Sequence, residues 1–439
     1  RSWIERITLR YIRYDPTTTE GRAPVSRPSV APTATRTAAG TRVPRGRLLV
    51  LVMALAAALS GLDAALLRVG VAAPVHSASL ADQHGVLMVY GFLGTAIALE
   101  RAVALQAGVR RAAWAYAAPA AAALGAVLVI LQSAGVLPAG RALPGGAWVA
   151  AMAVFVAIYL AVWRRQQSYA VLVQLLGALA GLFGAALWAR GLEVAAVVPW
   201  WAALLVLTIV GERLELARVA FMAPAVERRI LAESSLTTLA LATTALSPAW
   251  GYPLLGLALG VLVVDVGVHD IAWRTVRARG LTRFMAACML AGYGWAVVSA
   301  LVWVVGGPAL DGYRYDIVVH SLTIGFVMSM ILAHAPVIVP ALARRPLPYH
   351  PVMWAVWGLL HVGLLVRVVS GARAAVGGWQ LGGTLSVVAL LAFLASTVTL
   401  VVRGSGPARV VRRADDERAD DHAAAADDPA ADDEREPIR

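Results

Sequence analysis

The sequence predicts an all-α polytopic membrane helix bundle of about twelve transmembrane helices. Of its 439 residues, 59% are hydrophobic and only 15% are charged, against about 25% charged in an average globular protein. The apolar residues form stretches of about 20, which is the length that crosses a bilayer core of about 30 Å. Arginine clusters also recur in alternate connections between these stretches. These observations exclude a soluble enzyme.

The chain divides into three parts. Residues 1–46 carry nine Arg and three acidic residues among Thr, Pro and Ala, and residues 404–439 carry eleven acidic residues and six Arg. Neither part has the apolar mass to fold, so both are predicted to be disordered, as a basic and an acidic tail. Residues 47–403 form the predicted transmembrane domain. Its segments lie roughly at 48–74, 84–106, 113–136, 147–164, 169–189, 197–219, 230–249, 252–273, 283–306, 316–342, 351–371 and 379–402.

The placement of arginine predicts the orientation. Cytoplasmic connections of membrane proteins are enriched in basic residues, and most arginines between the segments lie on the side that also holds both termini. Both termini are therefore predicted to be cytoplasmic. The net charge of +12 then reflects topology and contact with the lipid bilayer, and a nucleic-acid partner is not expected. Because all basic residues are Arg, which indicates GC-rich coding, we expect a multi-pass protein of a bacterial cytoplasmic (inner) membrane.

Two histidines at one depth suggest a cofactor. His84 opens segment two and His320 lies near the start of segment ten, both at the predicted outer face. Two neutral imidazoles on neighbouring helices are what a six-coordinate heme iron requires. Gly85, Gly91, Gly94 and Gly325 are predicted to let a flat macrocycle approach the backbone. Interfacial histidines that cap helix ends are the alternative. The single cysteine, Cys288, excludes a CxxC heme attachment, so the heme would be of the b type.

A second histidine group lies deeper. His334 follows His320 by fourteen residues, which in a regular α-helix returns to within about 40° of the same face, some 21 Å along the axis. His361, deep in segment eleven, or His350, at its inner end, could meet His334 in an inner metal or heme site. The alternative is that His334 is a hydrogen-bonded residue at a proline-kinked helix end.

Charged residues within the apolar segments are costly, at about 2.5–3.5 kcal/mol each, and are functional candidates. Asp63, Arg68 and Arg367 lie toward the outer half, where they are predicted to contact heme propionates or to cap helix ends. An inner polar cluster is predicted on segments two, six and eight, with Arg101 paired to Glu212 and Glu100 paired to Arg213. It is either a lattice of salt bridges or a proton or anion route. Its members are Glu100, Arg101, Glu212, Arg213, Glu215, Asp265 and His269.

Helix count and two histidine runs carry a family resemblance. The runs His84-Gly-Val-Leu-Met-Val-Tyr-Gly-Phe and His320-Ser-Leu-Thr-Ile-Gly resemble the heme-copper oxidases, where a pair on helices two and ten holds the low-spin heme. The chain is more similar to the NnrS family, twelve-helix membrane proteins of the nitric-oxide response that contain heme and copper. This resemblance implies heme b, copper as a second metal, nitric oxide or another small nitrogen oxide as a ligand, and a redox partner at the outer face.

The chain also departs from the oxidase pattern. Val318 and Leu322 stand where the oxidases place a second heme ligand, and segments six and seven contain no His. The ligands of a catalytic copper centre are therefore not expected, and any enzyme would be a heme-dependent oxidoreductase of another kind. A secondary transporter of a small solute and a non-catalytic assembly subunit are the other functions that twelve helices suit.

Overall fold

The chain folds into a bundle of long α-helices. The structure, a computed structural model, describes residues 43–108, 112–220 and 223–404, and only the backbone of residues 217–220. The described part contains no β-strand. Its long helices are α1 Arg45–Arg68, α2 His84–Gly108, α3 Ala113–Ser133, α4 Ala142–Trp163, α5 Tyr169–Ala189, α6 Val194–Ala220, α7 Pro224–Leu246, α8 Pro248–His269, α9 Gly280–Gly306, α10 Gly312–Ala343, α11 Val352–Ala372 and α12 Val376–Arg403.

The predicted all-α membrane fold is confirmed. Among the described residues, eleven helices are long and apolar enough to cross a membrane, and α7 falls short because its composition is too polar. The hydroxyl groups of α7 are nevertheless satisfied within the helix, since Ser234 and Thr238 donate to carbonyls four residues earlier. The predicted tails, 1–46 and 404–439, lie almost wholly outside the described residues. Which side of the membrane each end faces stays a prediction.

The first helix ends earlier than the predicted segment 48–74. Gly70 adopts a φ of 74°, which favours glycine. Its amide donates to the Leu67 carbonyl and the amide of Val71 donates to the Leu66 carbonyl, each at 3.0 Å. This left-handed cap ends α1 at Arg68 and leaves a loop that leads to His84.

Glycines allow two helix pairs to approach closely. On α5, a Cβ at Gly177 would lie 3.1 Å from the Leu204 carbonyl of α6, and a Cβ at Gly184 would lie 3.1 Å from Trp200. On α12, a Cβ at Gly382 would overlap the backbone nitrogen of Arg367 on α11. Small residues at such seams let backbones come together in membranes. These two seams set the positions of α6 and of Arg367.

Two helices widen into a π-helix within three residues of a histidine. In α2 the π-helical segment covers Leu87–Gly94, and in α10 it covers Ser321–Met328. Such segments are rare and occur frequently at functional sites. We call the end of the bundle where these two helices begin the histidine end, and the opposite end, where α2 carries Glu100, the carboxylate end.

Candidate functional site

His84 and His320 are oriented by the same kind of hydrogen bond. The Nδ1 of His84 lies 2.8 Å from the Gly61 carbonyl of α1, and the Nδ1 of His320 lies 2.9 Å from the Asp316 carbonyl. A carbonyl only accepts, so each Nδ1 carries a hydrogen, and in a neutral ring the Nε2 then keeps its lone pair. Neither Nε2 has a hydrogen-bond partner within the described part of the chain. Both rings therefore have a free coordinating nitrogen.

The two rings are spaced for a shared metal ion. Their centroids are 6.4 Å apart and their planes differ by 23°. With a metal–nitrogen bond of about 2.0 Å on each side and a ring radius of about 1.2 Å, two imidazoles on opposite sides of one ion have centroids about 6.4 Å apart. Direct van der Waals stacking would bring the rings closer. The structure thus brings His84 and His320 together, whereas their role as metal ligands stays a prediction.

A buried ion pair supports His320. Its Nδ1 is also 3.2 Å from the carboxylate of Asp316, and Arg367 of α11 donates two hydrogen bonds to that carboxylate at 2.8 and 2.6 Å. Trp379 of α12 donates a further one at 2.9 Å. A carboxylate behind a ligand imidazole fixes its orientation and raises its basicity. His320 therefore has stronger support than His84, which has a backbone carbonyl alone.

A large cavity surrounds both rings. Its volume is about 860 Å³, and α1, α2, α6, α10, α11 and α12 contribute to its wall. On α6 the lining residues run from Val194 to Leu205, about 17 Å along the helix axis. The deep part is apolar, with Leu93, Leu205 and Met328, whereas Arg68 is among the polar residues at the histidine end. A cavity with an apolar floor and a polar mouth suits an amphiphilic macrocycle.

The residues predicted to surround the cofactor have different roles. Arg68 borders the cavity, is exposed and has no ion-pair partner among the described residues. Arg367 also borders it, but two of its nitrogens are committed to Asp316. Asp63 does not line the cavity. Its carboxylate instead accepts a hydrogen bond from the Val75 amide at 2.9 Å. It holds the loop that follows α1.

The glycine prediction is wrong for three of four positions. Gly85 borders the cavity. A Cβ at Gly91 would instead lie 3.0 Å from Ala126 of α3, one at Gly94 would lie 3.1 Å from the Val89 carbonyl, and one at Gly325 would overlap Trp295 of α9. Gly91 and Gly325 thus serve helix packing, and Gly94 leaves room for the widened backbone of the π-helical segment.

The deeper histidines do not form a second site. His334 donates from Nδ1 to the Met330 carbonyl at 2.6 Å and accepts at Nε2 from Arg213 at 3.0 Å. No lone pair remains on it for a metal. Contact with His350 or His361 is also absent among its described interactions. The alternative prediction, that His334 is a hydrogen-bonded residue and not a metal ligand, fits these contacts.

His361 and His350 are occupied in other ways. Nδ1 of His361 accepts from Trp295 at 2.9 Å, which leaves its hydrogen on Nε2, 3.3 Å from the Ser329 hydroxyl. His350 is exposed and accepts the Val352 amide at 3.1 Å at the start of α11. Across the described ranges, no group of three or more His, Cys, Asp or Glu side chains could hold a metal ion.

The predicted inner polar cluster is split into three groups, and the first is centred on Arg101. Its Nη2 donates to Glu212 at 2.6 Å, as predicted. Its Nε is 2.7 Å from Glu100, and its Nη1 is 3.9 Å from Glu215. The predicted Glu100–Arg213 pair is wrong, because Glu100 turns toward the neighbouring arginine on its own helix.

The second group is centred on Asp270, just beyond α8. Arg213 donates two hydrogen bonds to it at 2.9 and 3.1 Å, and the Tyr293 hydroxyl donates a third at 2.7 Å. Burial raises the pKa of Asp270, but the Arg213 charge and the hydrogen bonds from Tyr293 and the Ala272 amide outweigh it. The pKa of this carboxyl therefore lies below its ordinary value.

The third group joins α7 to α8. Arg229 donates two hydrogen bonds to Asp265 at 2.8 and 2.6 Å and lies 3.7 Å from Glu233. The Nδ1 of His269 lies 2.9 Å from the Asp265 carbonyl and 3.2 Å from its carboxylate. This group is nearer the surface, since the Arg229 side chain is 47% exposed, and it fixes α7 against α8.

Sequence reasoning missed Asp316 and Trp379 as parts of the histidine site. The separation of four residues between Asp316 and His320 places both on one helix face, so this signal was available. Trp379 gave no such signal, because it reaches the site from α12 through tertiary packing alone.

No curated protein matches the chain. A family described as "Domain of unknown function (DUF8744)" matches residues 47–402, which include both histidines and all three polar groups. Because this match covers most of its length, the chain belongs to the DUF8744 family.

Proposed function

We propose that the chain is an integral membrane b-type heme protein in which His84 and His320 are the axial ligands. The observation that carries the proposal is the 6.4 Å spacing of the two rings, together with the hydrogen bonds that leave each Nε2 unpaired. Helix-end capping, the alternative reading, does not require two imidazoles at a coordination distance.

The cavity supports a macrocycle in preference to a bare ion. Two imidazoles could also hold a copper ion at the same spacing, but a single ion does not need some 860 Å³ of mainly apolar space. The exposed guanidinium of Arg68 is suited to heme propionates, because arginine binds carboxylates strongly. Copper is the competing cofactor at this pair.

Electron transfer is the activity that two imidazole ligands favour. Heme, when bound, supplies one-electron redox chemistry. Both His84 and His320 would hold the heme, so nitric oxide or another small nitrogen oxide would have to compete with one of them for the iron. His84 would be displaced more easily than His320, because it lacks the carboxylate that supports His320. We therefore propose electron exchange with a redox partner at the histidine end, with gas binding as a secondary property.

The proposed cellular setting follows from arginine placement. The positive-inside rule places the histidine end at the outer face of a bacterial cytoplasmic membrane and both termini in the cytoplasm. The redox partner would then act from the periplasmic side.

The direct test is the absorbance spectrum and metal content of the purified full chain. We expect a Soret band, stoichiometric iron and a low-spin spectrum. His84→Gly should lose the low-spin spectrum, and added imidazole should restore it by filling the vacated ligand position. His320→Ala should lose heme altogether.

The matched control is His350→Ala, which removes an exposed histidine that caps α11 and should leave the spectrum unchanged. A colourless, folded wild-type protein without iron or copper would overturn the proposal. Copper without iron would assign the site to copper. Solute transport by a colourless protein in proteoliposomes would favour the transporter alternative.

A further inference from the structure

The group around Arg101 at the carboxylate end contains unequal charges. Glu100 and Glu212 both lie against this one guanidinium, at 2.7 and 2.6 Å, and Glu215 is a third carboxylate at 3.9 Å. All four side chains are largely buried, with exposed fractions between 10% and 22%. If every carboxyl were ionised, the group would carry excess negative charge inside the bundle.

A buried hydroxyl also lacks a partner beside this group. Tyr159 of α4 is 1% exposed, and its hydroxyl has no hydrogen-bond partner among the described residues. The charges that act on it are those of Arg101 and the three glutamates. A buried hydroxyl without a partner is costly, and a carboxyl that exchanges a proton can serve it as donor or acceptor.

The neighbouring group cannot supply the missing positive charge. Arg213 follows Glu212 on α6, but its guanidinium is bidentate on Asp270. His334 is held neutral, because its Nε2 accepts from Arg213 and its Nδ1 donates to a backbone carbonyl. That group is therefore balanced in charge, and the excess stays with the glutamates.

The geometry distinguishes the two nearest glutamates. Glu212 accepts an aligned hydrogen bond from Arg101 Nη2. Glu100 approaches Nε, but the two atoms are not aligned as a hydrogen bond, and its side chain is the less exposed, at 10% against 22%. Ionisation is thus better supported at Glu212 than at Glu100.

We propose that Glu100 is a buried proton-binding site and carries its proton at neutral pH, while Glu212 is the ionised partner of Arg101. A proton neutralises the charge whose burial would otherwise be costly. A metal cation is disfavoured because the guanidinium lies between the carboxylates, and no described carboxylate group could hold a metal ion. An anion would be repelled. The inference does not depend on heme.

The site is enclosed by four helices. The titratable and charged side chains that face it are Glu100 and Arg101 from α2, Tyr159 from α4, Glu212, Arg213 and Glu215 from α6, and His334 from α10. Its position near the end of α2 allows exchange with the aqueous phase at the carboxylate end. The reaction is a simple equilibrium in which the carboxylate oxygen of Glu100 gains or releases one proton.

Infrared spectroscopy of the full chain in lipid nanodiscs tests the proposal. At pH 7 we expect a carbonyl-stretch band of a protonated carboxyl that shifts in D₂O and when glutamate, but not aspartate, is labelled with ¹³C. The band should disappear in Glu100→Gln. It should weaken in Glu212→Gln, because Glu100 then becomes the nearest carboxyl to Arg101 and can ionise. Because Gln resembles the protonated acid, Glu100→Gln should keep the wild-type melting temperature.

Glu193→Gln is the control, since Glu193 is an exposed carboxyl at the histidine end, away from this group; it should leave the band unchanged. Glu233→Gln, measured alongside, isolates any contribution from the other glutamate that shares an arginine with a second acid. The isotope experiment on the wild-type chain establishes whether a protonated glutamate is present even if a variant fails to fold. Absence of the band in wild type, or an undiminished band in Glu100→Gln, would each overturn the proposal.

Discussion

The buried pair Asp316–Arg367 allows a quantitative prediction about stability. Its side chains are 11% and 7% exposed, and two hydrogen bonds of 2.8 and 2.6 Å join them. Asp316→Asn removes the negative charge and leaves the guanidinium buried without a counter-ion. Breaking such a pair costs about 3–5 kcal/mol, because the remaining charge is uncompensated. Solvent screening offers little relief at this burial.

The double variant separates the pair from its surroundings. Arg367→Gln alone should cost about 3 kcal/mol, since Asp316 keeps the hydrogen bonds from Trp379 and His320. With both changes no charge is left unpaired, so the total cost should fall well below the sum of the single costs. We expect a coupling energy of about 3 kcal/mol from the cycle.

Equilibrium unfolding of the detergent-solubilised chain, followed by tryptophan fluorescence, measures these free energies. The same cycle on Arg229–Asp265 is the control, because its hydrogen bonds have nearly the same lengths, 2.8 and 2.6 Å, but Arg229 is exposed. Exposed pairs contribute little. Equal coupling in the two cycles would refute the reasoning that burial, and not geometry, sets the contribution.

Three further outcomes are expected. Gly382→Ala should destabilise the fold by about 1–3 kcal/mol, because the added Cβ overlaps the Arg367 backbone. The control Gly377→Ala should not change the stability, because its Cβ meets open space. Equal unfolding midpoints for the two variants would contradict this reasoning. Since the pKa of Asp270 is below its ordinary value, its contribution to stability should be complete above pH of about 4 and decline below it; an acid titration in which Asp270→Asn behaves like wild type would disprove it. Arg68→Gln should leave the melting temperature unchanged but speed loss of heme to a scavenger protein, and identical loss rates would exclude Arg68 from propionate binding.

The sequence predicted correctly which side chains lie at the same depth in the bundle. His84 and His320 begin the second and tenth helices, and helices separated by an even number of crossings enter from the same side. This alternation placed both rings at one level before any packing was known, and their 6.4 Å separation agrees with it. The Arg101–Glu212 pair was predictable for the same reason.

Rotation about the helix axis was harder to predict than depth. The sequence does not determine which partner a charged side chain contacts when several lie within reach. Glu100, for example, contacts Arg101 and not Arg213. Asp270 also competes for Arg213, from beyond the end of α8. Such choices depend on the tertiary positions of several helices and on the cost of leaving a buried charge unpaired.

The case of His334 shows how a local change of helix type defeats periodicity. The prediction that it shares a face with His320 used 100° for every residue between them. Eight of these residues, Ser321–Met328, are π-helical, and a wider helix turns through roughly 80° per residue. The error accumulates to roughly 160° over the eight residues of the segment, so the count of steps no longer identifies a face. α2 carries an equivalent segment after His84, which means that neither helix can place a ligand at its far end by α-helical spacing. A single pair of histidines, without a second pair stacked beneath it, is what two helices of this kind can provide.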